Sequence, residues 1–383
     1  MIYSVKAIDQ LFFRSSIPFD AEGETHLLAS HFPPYPSTYA GAFKVLGNNP
    51  KRLRISYNGV VLSDENDQMS FCFPQPLDTI VPPEKELVDN KHIELEKMKL
   101  INVPYSSAPM AVCLSPNEID EKRKPQSYVY LKQAELEEYL SVDTEKVNGF
   151  SLKDYFTEEK KTGIGIDSDI GTTEDGKLYQ IKMLRPHDGL QLAVEVKGVA
   201  VEKEHIRLGG EGKVAQIKSE SGELEIAPNL DLQSRYFKLY FATPAIFEHG
   251  WRPRWIKEDM TGAFSFKGKK IEFKLVAAAV GKLESVGGFD PIKRQAKELR
   301  YAVPAGSVYY FEILGDSSLK DAKKMFHQKC LSDYREGDES YGFSRPRKLF
   351  DRIIYCDRGF GYTLVGAVNK EQEKVLKCLK EKK

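Results

Sequence analysis

The chain opens with an alternation of apolar and polar residues and then changes character in a proline-rich stretch. Residues 2–9 (IYSVKAID) alternate as a half-buried strand does. In residues 31–46 (HFPPYPSTYAGAFKVL), extended prolines lead into sequence that favours a helix. Proline disfavours helix in the residue before it, and Ser or Thr can cap a first turn. The pattern therefore predicts a short helix that begins near Ser37 and ends by Gly47, where GNNP follows.

The next part of the chain combines an irregular region with regular alternation. Residues from about 50 to 165 are irregular, with a predicted hairpin around Asn58-Gly59 and a short helix in LKQAELEEYL, and we interpret them as an insertion. Strands are predicted in KLYQIKMLR (177–185), LQLAVEVKG (190–198) and KVAQIKS, with a short helix in VEKEHIRL. With the insertion set aside, the order is strand, helix, strand, strand, helix, strand, which is the ferredoxin-like pattern.

The same order recurs in the second half, after an acidic linker at 219–231. Its predicted elements are RYFKLYFA, a short helix near Trp251 to Lys257, the strands IEFKLVAAAV and GSVYYFEIL, the helix SLKDAKKMFHQKC and the strand GYTLVGAV. The predicted fold class is α+β, with two ferredoxin-like (RRM-like, βαββαβ) domains in tandem. We place them at 1–225, with the large insertion at about 50–165, and at 226–383.

Composition and charge limit the classes of protein to which this chain can belong. The 383 residues carry no net charge, but residues 235–301 hold 14 Lys and Arg against 7 Asp and Glu, while residues 84–160 hold 11 against 16. A local basic face for nucleic acid is therefore compatible with the neutral total. We find neither a signal-peptide pattern nor an 18-residue apolar run, so we expect a cytoplasmic protein. The five scattered cysteines predict no zinc site and no disulfide framework.

Few residues favour catalysis. His187-Asp188 lies in a Pro-Gly turn without further metal ligands nearby, so we interpret it as a turn. His26, His31 or His249 could serve as a general base for RNA cleavage, although a packed histidine is the more common case. LGGEGKVA (208–215) lacks the GxxxxGK[ST] pattern of a phosphate loop, yet its glycines could expose backbone amides to an anion. We predict no cofactor and no metal.

Several segments in order give the chain a family resemblance. They are FFRSSIPF, FPPYPSTYAGA, GIGID…GKLYQIKMLRP, RLGGEGKVA, FATPAIFEHGWRP, GGFD…YAVPAGSVYYFEI and GFGYTLVG. This order resembles the third subunit of the Cmr-type (type III-B) CRISPR effector complex, in the RAMP superfamily of RNA-binding proteins. The resemblance implies a non-catalytic antiviral subunit that holds the 5′ repeat-derived tag of the CRISPR RNA. Its implied partners are the large polymerase-like subunit, the backbone RAMP subunits and, indirectly, target RNA; no membrane is involved.

The resemblance, combined with the local chemistry, gives a set of candidate RNA-binding residues. Amides at a helix start carry partial positive charge, and glycines allow close approach of a backbone. The candidates are Ser37, Thr38, Tyr39, Gly41, Lys44, Arg207, Gly209, Gly210, Gly212, Lys213, Arg252, Arg254, Lys293, Arg294, Arg300, Gly359 and Gly361. The family also implies a β-hairpin thumb, which we expect around Tyr57 to Val61 or nearer Ala108 to Leu114.

Two other functions remain open at this stage. One is a metal-independent RNA-processing endonuclease of the same superfamily, with His249 or His26 as the general base. The other is a protein adaptor in which the glycine-rich loops are purely structural. Cleavage of repeat RNA in EDTA would favour the first, and RNA binding that is indifferent to the glycine loop would favour the second.

Overall fold

The structure is a computed structural model of the chain, and it describes residues 1–14, 26–46, 53–66, 68–81, 92–103, 109–110, 112–116, 128–141, 145–166, 170–201, 203–266, 268–290, 295–333 and 355–381. Within these ranges the fold is strand-rich and mixed α+β, as predicted. The helices are α1 (Pro36–Lys44), α2 (Gln133–Leu140), α3 (Leu319–Phe326) and α4 (Lys370–Glu381), with a 3-10 helix at Leu152–Tyr155.

The strands follow in chain order. They are β1 (Ile2–Ala7), β2 (His26–Ala29), β3 (Arg54–Ser63), β4 (Met69–Pro74), β5 (Thr79–Ile80), β6 (Ile93–Lys97), β7 (Lys99–Asn102), β8 (Val112–Ser115), β9 (Val129–Lys132), β10 (Lys146–Ser151), β11 (Phe156–Ile166), β12 (Thr173–Pro186), β13 (Leu190–Lys197), β14 (His205–Arg207), β15 (Val214–Glu220), β16 (Tyr236–Phe241), β17 (Thr261–Phe266), β18 (Lys269–Ala279), β19 (Glu284–Val286), β20 (Phe289–Asp290), β21 (Gln295–Ala296), β22 (Arg300–Ala302), β23 (Val308–Leu314), β24 (Lys329–Cys330) and β25 (Tyr362–Ala367).

The chain divides into two compact units. The first contains residues 1–69, 153–222 and 285–301, and the second contains residues 70–152, 223–284 and 302–383. Most of the expected insertion therefore belongs to the second unit, whereas we placed it in the first. Packing explains the difference, because a Cβ added at Gly366 of β25 would lie 2.7 Å from Leu140 of α2, so this helix sits directly on that strand.

The main sheet of the first unit has the order β14-β15-β1-β13-β3, and all of these neighbours are antiparallel. Helix α1 covers one face, where Tyr3 and Phe43 bring their ring centroids to 5.6 Å. Because side chains alternate across a strand, Ser4 and Lys6 point to the opposite face. We call this the outer face of the first sheet.

Two local predictions for the first unit are wrong, and a third strand forms as predicted but in another sheet. Asn58-Gly59 is not a turn but lies inside β3, which pairs with β13. The strand predicted at 177–185 belongs to a separate three-stranded sheet, in which β12 pairs with β11 and with β2. No helix forms in VEKEHIRL within the described residues; Ile206 is buried between exposed His205 and Arg207, which is the alternation of an edge strand, and β14 results.

The second unit contains two main sheets. Residues 70–152 contribute one with the order β4-β9-β10-β6-β5 and the hairpin β7-β8, and the other has the order β17-β18-β23-β16-β25-β24. Aromatic residues dominate the core beside the six-stranded sheet, with Phe237 and Phe311 ring centroids 5.2 Å apart. Helix α3 buries its apolar positions there and begins with a capping box between Ser318 and Asp321.

The helix predicted near Trp251 to Lys257 does not form. This segment is a series of turns, and the buried carboxylate of Asp333 accepts hydrogen bonds from the backbone amides of Glu248 and Arg254. Burial raises the pKa of Asp333 to about 6. Because this carboxylate accepts hydrogen bonds from amides at two separate points of the loop, it holds the loop in a series of turns and not in a helix.

The second unit also buries a charged cluster. The carboxylate of Asp78, fully buried, accepts hydrogen bonds from the hydroxyls of Tyr139 and Tyr310 at 2.6 and 2.5 Å. The ammonium of Lys238 lies 3.9 Å from Asp78 and 3.5 Å from the centroid of the Tyr139 ring. Lys97 donates to the carbonyl of Tyr139 at 2.8 Å, and burial lowers the pKa of Lys97 to about 8. We call Asp78, Lys97 and Lys238 the buried charge cluster.

In the described ranges, no helix combines the length and the apolar character needed to cross a membrane.

Candidate nucleic-acid interface

The segment that leads into α1 and the glycine-rich turn at 209–212 both contact residues 12–13, which follow β1. The amide of Gly210 donates to the carbonyl of Phe12 at 2.8 Å, and the amide of His31 donates to the carbonyl of Phe13 at 2.8 Å. The rings of Phe13 and Phe32 stack at 6.4 Å. Residues 12–13 therefore join two segments that lie almost 180 residues apart in sequence but were both predicted to hold RNA.

Helix α1 begins one residue earlier than predicted and without the predicted cap. Pro36 is the first helical residue, and Tyr35 occupies the N-cap position with no side-chain hydrogen bond to the helix. Proline suits this position because it has no N–H to satisfy. The amide of Thr38 donates to the carbonyl of Tyr35 at 2.8 Å. Within the described ranges the amide of Ser37 has no acceptor, so it is the donor that the helix start presents outward.

The imidazole of His31 stabilises this helix start. Its ring stacks on Tyr35 with a centroid distance of 4.0 Å and an interplanar angle of 21°. Burial lowers the pKa of His31 to about 4, so the ring is neutral near neutral pH. A neutral stacked ring fixes the N-cap residue but contributes no charge to phosphate binding.

The predicted residues of α1 differ in accessibility. Ser37 and Thr38 are half-buried, whereas Gly41 and Lys44 are exposed and a Cβ at Gly41 would meet only open space. The side chain of Tyr39, one of the candidate RNA-binding residues, is fully buried and packs in the core. The accessible part of this helix is thus its first turn and the Gly41–Lys44 side.

The glycine-rich turn is a tight connection between β14 and β15. Glu211 and Gly212 have φ values of 56° and 64°, and the amide of Lys213 closes the turn on the carbonyl of Gly210 at 3.3 Å. At Gly209, where φ is +83°, an added Cβ would lie 2.3 Å from the carbonyl oxygen of Phe12. Gly209 and Gly210 therefore pack against the protein, and Gly212 faces open space.

The two basic residues beside this turn have different surroundings. Lys213 pairs with Asp9 at 3.3 Å, and this hydrogen-bonded ion pair is the main reason that the pKa of Asp9 is lowered. Asp9 also pairs with Arg185 at 2.9 Å. Arg207 is exposed and has no ion pair within the described part of the chain. Arg207 is thus the more available cation for an external phosphate.

The predicted basic face of the second domain is largely engaged within the protein. Arg252 donates to the carbonyl of Ile256, Arg254 pairs with Glu248 at 3.2 Å and Arg300 pairs with Glu298 at 2.6 Å. Lys293 and Arg294 lie outside the described residues. The arginines that sequence reasoning grouped as one RNA-binding face therefore have separate intramolecular partners.

Gly359 and Gly361 are buried, which contradicts their predicted contact with RNA. The carbonyl of Gly359 accepts the hydroxyl of Thr243 at 2.8 Å, and the amide of Gly361 donates to the carbonyl of Pro244 at 2.8 Å. A Cβ at Gly361 would lie 2.1 Å from the carbonyl oxygen of Leu331. These glycines allow two protein segments to approach each other, so we exclude them from the interface.

Among the residues whose side chains the structure describes, the histidines do not form a recognisable catalytic arrangement. His187 lies 2.6 Å from the hydroxyl of Thr157 and 3.1 Å from the carbonyl of Asp154, in agreement with its interpretation as a turn residue. His249 is exposed in a turn, and His26 begins β2. Among the described residues, no three His, Cys, Asp or Glu side chains are grouped closely enough to hold a metal ion.

Sequence reasoning missed three exposed lysines on the outer face of the first sheet. Lys6, Lys203 and Lys218 line the same groove. The available signal was the alternation of β1 and β15, which places Lys6 and Lys218 at polar positions. That alternation was used only to predict strands, and not to ask what the polar face presents.

The family model described as CRISPR-associated protein (Cas_Cmr3) matches residues 3–345. No curated protein matches. Among solved structures, a chain of the Type III-B Cmr-beta bound to cognate target RNA and AMPPnP is 15% identical, with 81% of this chain and 86% of that chain covered and a TM-score of 0.46.

Two further structures are similar to the chain. A chain of the Type III-B Cmr-beta bound to cognate target RNA shares 15% identity over 81% of this chain and 86% of that chain, with a TM-score of 0.42. A chain of the Csm3-Csm4 subcomplex in the type III-A CRISPR-Cas interference complex shares 13% identity over 82% and 94%, with a TM-score of 0.31. Because the family model spans most of the sequence, the predicted family is confirmed, and the chain belongs to the Cas_Cmr3 family of CRISPR-associated proteins.

Proposed function

We propose that this chain is a non-catalytic subunit of a type III-B (Cmr) effector complex and that it holds the 5′ repeat-derived tag of the CRISPR RNA. The observation that carries the proposal is the convergence of the α1 start and the glycine-rich turn on residues 12–13. The Ser37 amide, the exposed Gly212 and the exposed Arg207 lie in these two segments. Amides and a guanidinium are the donors that phosphate oxygens prefer.

The strand orders support two ferredoxin-like domains as the scaffold. In the first unit the strands β1, β3, β13 and β15 occur in the spatial order β15-β1-β13-β3. In the second unit β16, β18, β23 and β25 occur in the order β18-β23-β16-β25. If the four strands of each unit are numbered 1 to 4 along the chain, the order in the first unit is 4-1-3-2. The order in the second unit is the same when it is read from β25 to β18. Each unit has one helix of the predicted pair in its expected place, α1 in the first and α3 in the second.

The hairpin β11-β12 is the best candidate for the thumb. It is long, with pairing from Phe156↔Pro186 to Ile166↔Thr173, and most of β11 is exposed. Ile164 and Ile166 near its end are 48% and 63% exposed, and an exposed apolar side chain of this kind can insert between bases. The first location expected for the thumb, Tyr57 to Val61, is wrong because those residues lie within β3. The second, nearer Ala108 to Leu114, includes the start of β8 in the shorter hairpin β7-β8 and stays a prediction.

The partners in the proposal are those that the family resemblance implies. They are the CRISPR RNA, the large polymerase-like subunit and the backbone RAMP subunits, with target RNA held through the guide. Residues 84–160 carry the acidic excess, which suits contact with protein better than contact with RNA. We assign the docking of the large subunit to these residues, of which those up to 152 belong to the second unit.

The proposal is tested by reversing charge at the two convergent segments. We would compare complex containing Lys44→Glu/Arg207→Glu with complex containing Lys320→Glu/Lys374→Glu, which changes exposed lysines of α3 and α4. Binding of guide RNA with and without its 5′ tag is followed by fluorescence anisotropy over a range of salt concentrations. The first variant should lose at least tenfold in tag-dependent affinity and should lower the salt slope by about 1.4, since each single-strand phosphate contact contributes about 0.7.

Two results would contradict the proposal. Equal losses in both variants would show that net charge alone matters, and no loss in either would leave the convergent segments without a role. An RNA product formed in EDTA by the wild type and absent with His249→Ala would favour the endonuclease instead.

A further inference from the structure

The outer face of the first sheet carries a polar groove that has no part in the function proposed above. It has a volume of about 490 Å³ and is lined by residues of β1, β13 and β15 together with the segment before β14. Its cationic members are Lys6, Lys203 and Lys218, all exposed. The groove lies entirely within the first unit.

Strand register fixes where two of these lysines lie. Lys6 is directly opposite Gln216, and Ser4 is directly opposite Lys218. Lys6 and Lys218 are therefore diagonal neighbours on one face, roughly 7 to 8 Å apart. Arg207 lies on the same face. It is paired with Val214, which is two residues from Gln216 in β15 and therefore points to the same side of the sheet. The basic positions thus extend from the glycine-rich turn along the outer face.

The three lysines carry charge that the described residues do not neutralise. None of Lys6, Lys203 and Lys218 has an ion pair within the described ranges, in contrast to Lys213, which pairs with Asp9 at 3.3 Å. The groove also contains Glu204 and Glu220, and the carboxylate of Glu220 accepts a hydrogen bond from the hydroxyl of Ser4 at 2.6 Å. This bond leaves the charge of Glu220 in place, so the lysines outnumber the carboxylates of the lining three to two, and none of the lysines is ion-paired with them. Three ammonium groups therefore remain available to an external anion.

The chemistry of the lining favours nucleic acid over protein. Protein interfaces bury a core of aromatic and apolar side chains and are depleted in lysine, whereas nucleic-acid interfaces are polar and positively charged. Gln191 and Gln216 add amide groups, and Tyr3, the one aromatic residue among the described residues of the lining, is 2% exposed and packs under α1. Without an accessible ring there is no platform for stacking a base, so contacts would go to phosphate and sugar.

We infer that this groove binds the phosphodiester backbone of a single RNA strand, independently of sequence, as a continuation of the site formed by the α1 start and the glycine-rich turn. This inference rests on the proposed function, because it assumes that the chain binds RNA at that site. It adds a second surface on the opposite side of the sheet from α1. The lysines act as three phosphate contacts, and Gln191 and Gln216 as hydrogen-bonding groups beside them.

The test compares two variants with the same loss of charge in the assembled complex. One is Lys6→Ala/Lys203→Ala/Lys218→Ala, and the matched control is Lys320→Ala/Lys324→Ala/Lys374→Ala in α3 and α4. The salt dependence of binding is measured with guide RNA and with a second guide of unrelated spacer sequence. The groove variant should lower the salt slope by about 2 for both RNAs, because three single-strand contacts are removed. The control should leave the slope unchanged.

Lysine acetylation footprinting of the wild-type complex gives an independent measurement. RNA should protect Lys6, Lys203 and Lys218 from the reagent and leave Lys320 reactive. Protection that is already complete without RNA would make the groove a protein interface and overturn the inference. Equal protection by 5′-AMP at the same phosphate concentration would make it a mononucleotide site and overturn it as well.

Failure of the inference is distinguishable from failure of the proposed function. If the groove variant keeps the wild-type salt slope while Lys44→Glu/Arg207→Glu still loses tag-dependent affinity, only the groove is overturned. If Lys44→Glu/Arg207→Glu is also without effect, the proposed function fails.

Discussion

Two glycine-rich segments of similar composition have opposite surroundings in this protein. In the turn at 209–212, Gly212 is exposed and faces open space, and in the segment 359–361 both glycines are buried. The first connects an edge strand to a strand that alternates buried and exposed residues, whereas the second precedes β25, whose residues are all buried. Glycines therefore indicate that another group approaches the backbone closely. The burial pattern of the strand that follows them indicates whether that group is another part of the protein or an external ligand.

Charged residues follow the same division. Arg207, Lys6 and Lys218 of the first unit are exposed, and within the described ranges they have no ion pairs. In the second unit Lys238 is 2% exposed and lies in the buried charge cluster. Conspicuous polar residues in the first unit are thus candidates for binding, and those in the second unit are candidates for stability. Four substitutions test this division.

The largest effect is expected from the buried charge cluster. Asp78→Ala removes the carboxylate between two tyrosine hydroxyls and leaves the Lys238 ammonium buried without its counter-ion. Loss of one partner of a buried pair costs about 3 to 5 kcal/mol. The free energy of unfolding should fall by that amount in urea titrations, while Asp316→Ala, at an exposed position, should change it by less than about 0.5 kcal/mol.

A second variant determines whether charge is the cause. Asp78→Ala/Lys238→Met removes the carboxylate and the ammonium that lies 3.9 Å from it and keeps Lys97, and replacement of a buried pair by apolar groups is often neutral. The double variant should therefore be more stable than Asp78→Ala. If it is less stable, the cluster acts through packing and not through its charges.

The next effect concerns Gly361. An alanine there would place Cβ 2.1 Å from the carbonyl oxygen of Leu331 at a φ of +76°, so the backbone must move. Gly315 has a similar φ of +62° but open space around it. Gly315→Ala should cost about 1 kcal/mol and Gly361→Ala roughly 3 kcal/mol or more, measured as a loss of thermal stability. Equal costs would mean that the buried contact at Gly361 is easily relieved.

Much of the scaffold was accessible from the sequence because local signals agreed with the fold. The apolar runs of β16 and β23, the alternation of β13 and the Ser318 start of α3 were placed correctly. Asn58-Gly59 misled the prediction because this dipeptide favours a hairpin turn. In the structure the ring of Tyr57 lies over Gly59, where a Cβ would be 2.4 Å from its hydroxyl oxygen, and the strand continues.

The interface was less accessible because exposure is a tertiary property. Tyr39 and Gly361 have suitable residue types for RNA contact, but neighbours far away in sequence bury both. The pairing of Arg254 with Glu248 and of Lys213 with Asp9 could not be read from residue types either. The family resemblance predicted RNA as the class of ligand, and the contacts within the chain indicate which of the predicted residues are accessible.

A smaller effect is expected from His31, which stacks on the N-cap residue of α1. Its pKa is lowered to about 4 in the fold, while the unfolded chain has the ordinary value near 6.5, so the unfolded state binds the proton more readily. The stabilisation is complete above pH 6.5 and is lost as the pH falls towards 4. His31→Phe keeps a ring on Tyr35 without a titrating group. Between pH 6.5 and 4, the wild type should lose about 2 to 3 kcal/mol more than this variant.

Calorimetry at several pH values provides the measurement. Identical pH dependence in both proteins would show that His31 titrates normally and that burial does not hold its ring neutral.

The smallest change in stability, and the most direct test of the comparison, is Gly212→Ala. Its φ of +64° is close to that of Gly315, and a Cβ at either glycine meets no atom within 4 Å. Both alanine variants should therefore lose about 1 kcal/mol from the same backbone strain. Only Gly212 lies in the turn proposed to approach RNA, so only Gly212→Ala should also weaken binding of tagged guide RNA in the assembled complex. If complexes with Gly212→Ala and with Gly315→Ala bind the tag equally well, the turn at 209–212 only connects two strands. The difference in exposure between the two glycine-rich segments would then have no bearing on RNA binding.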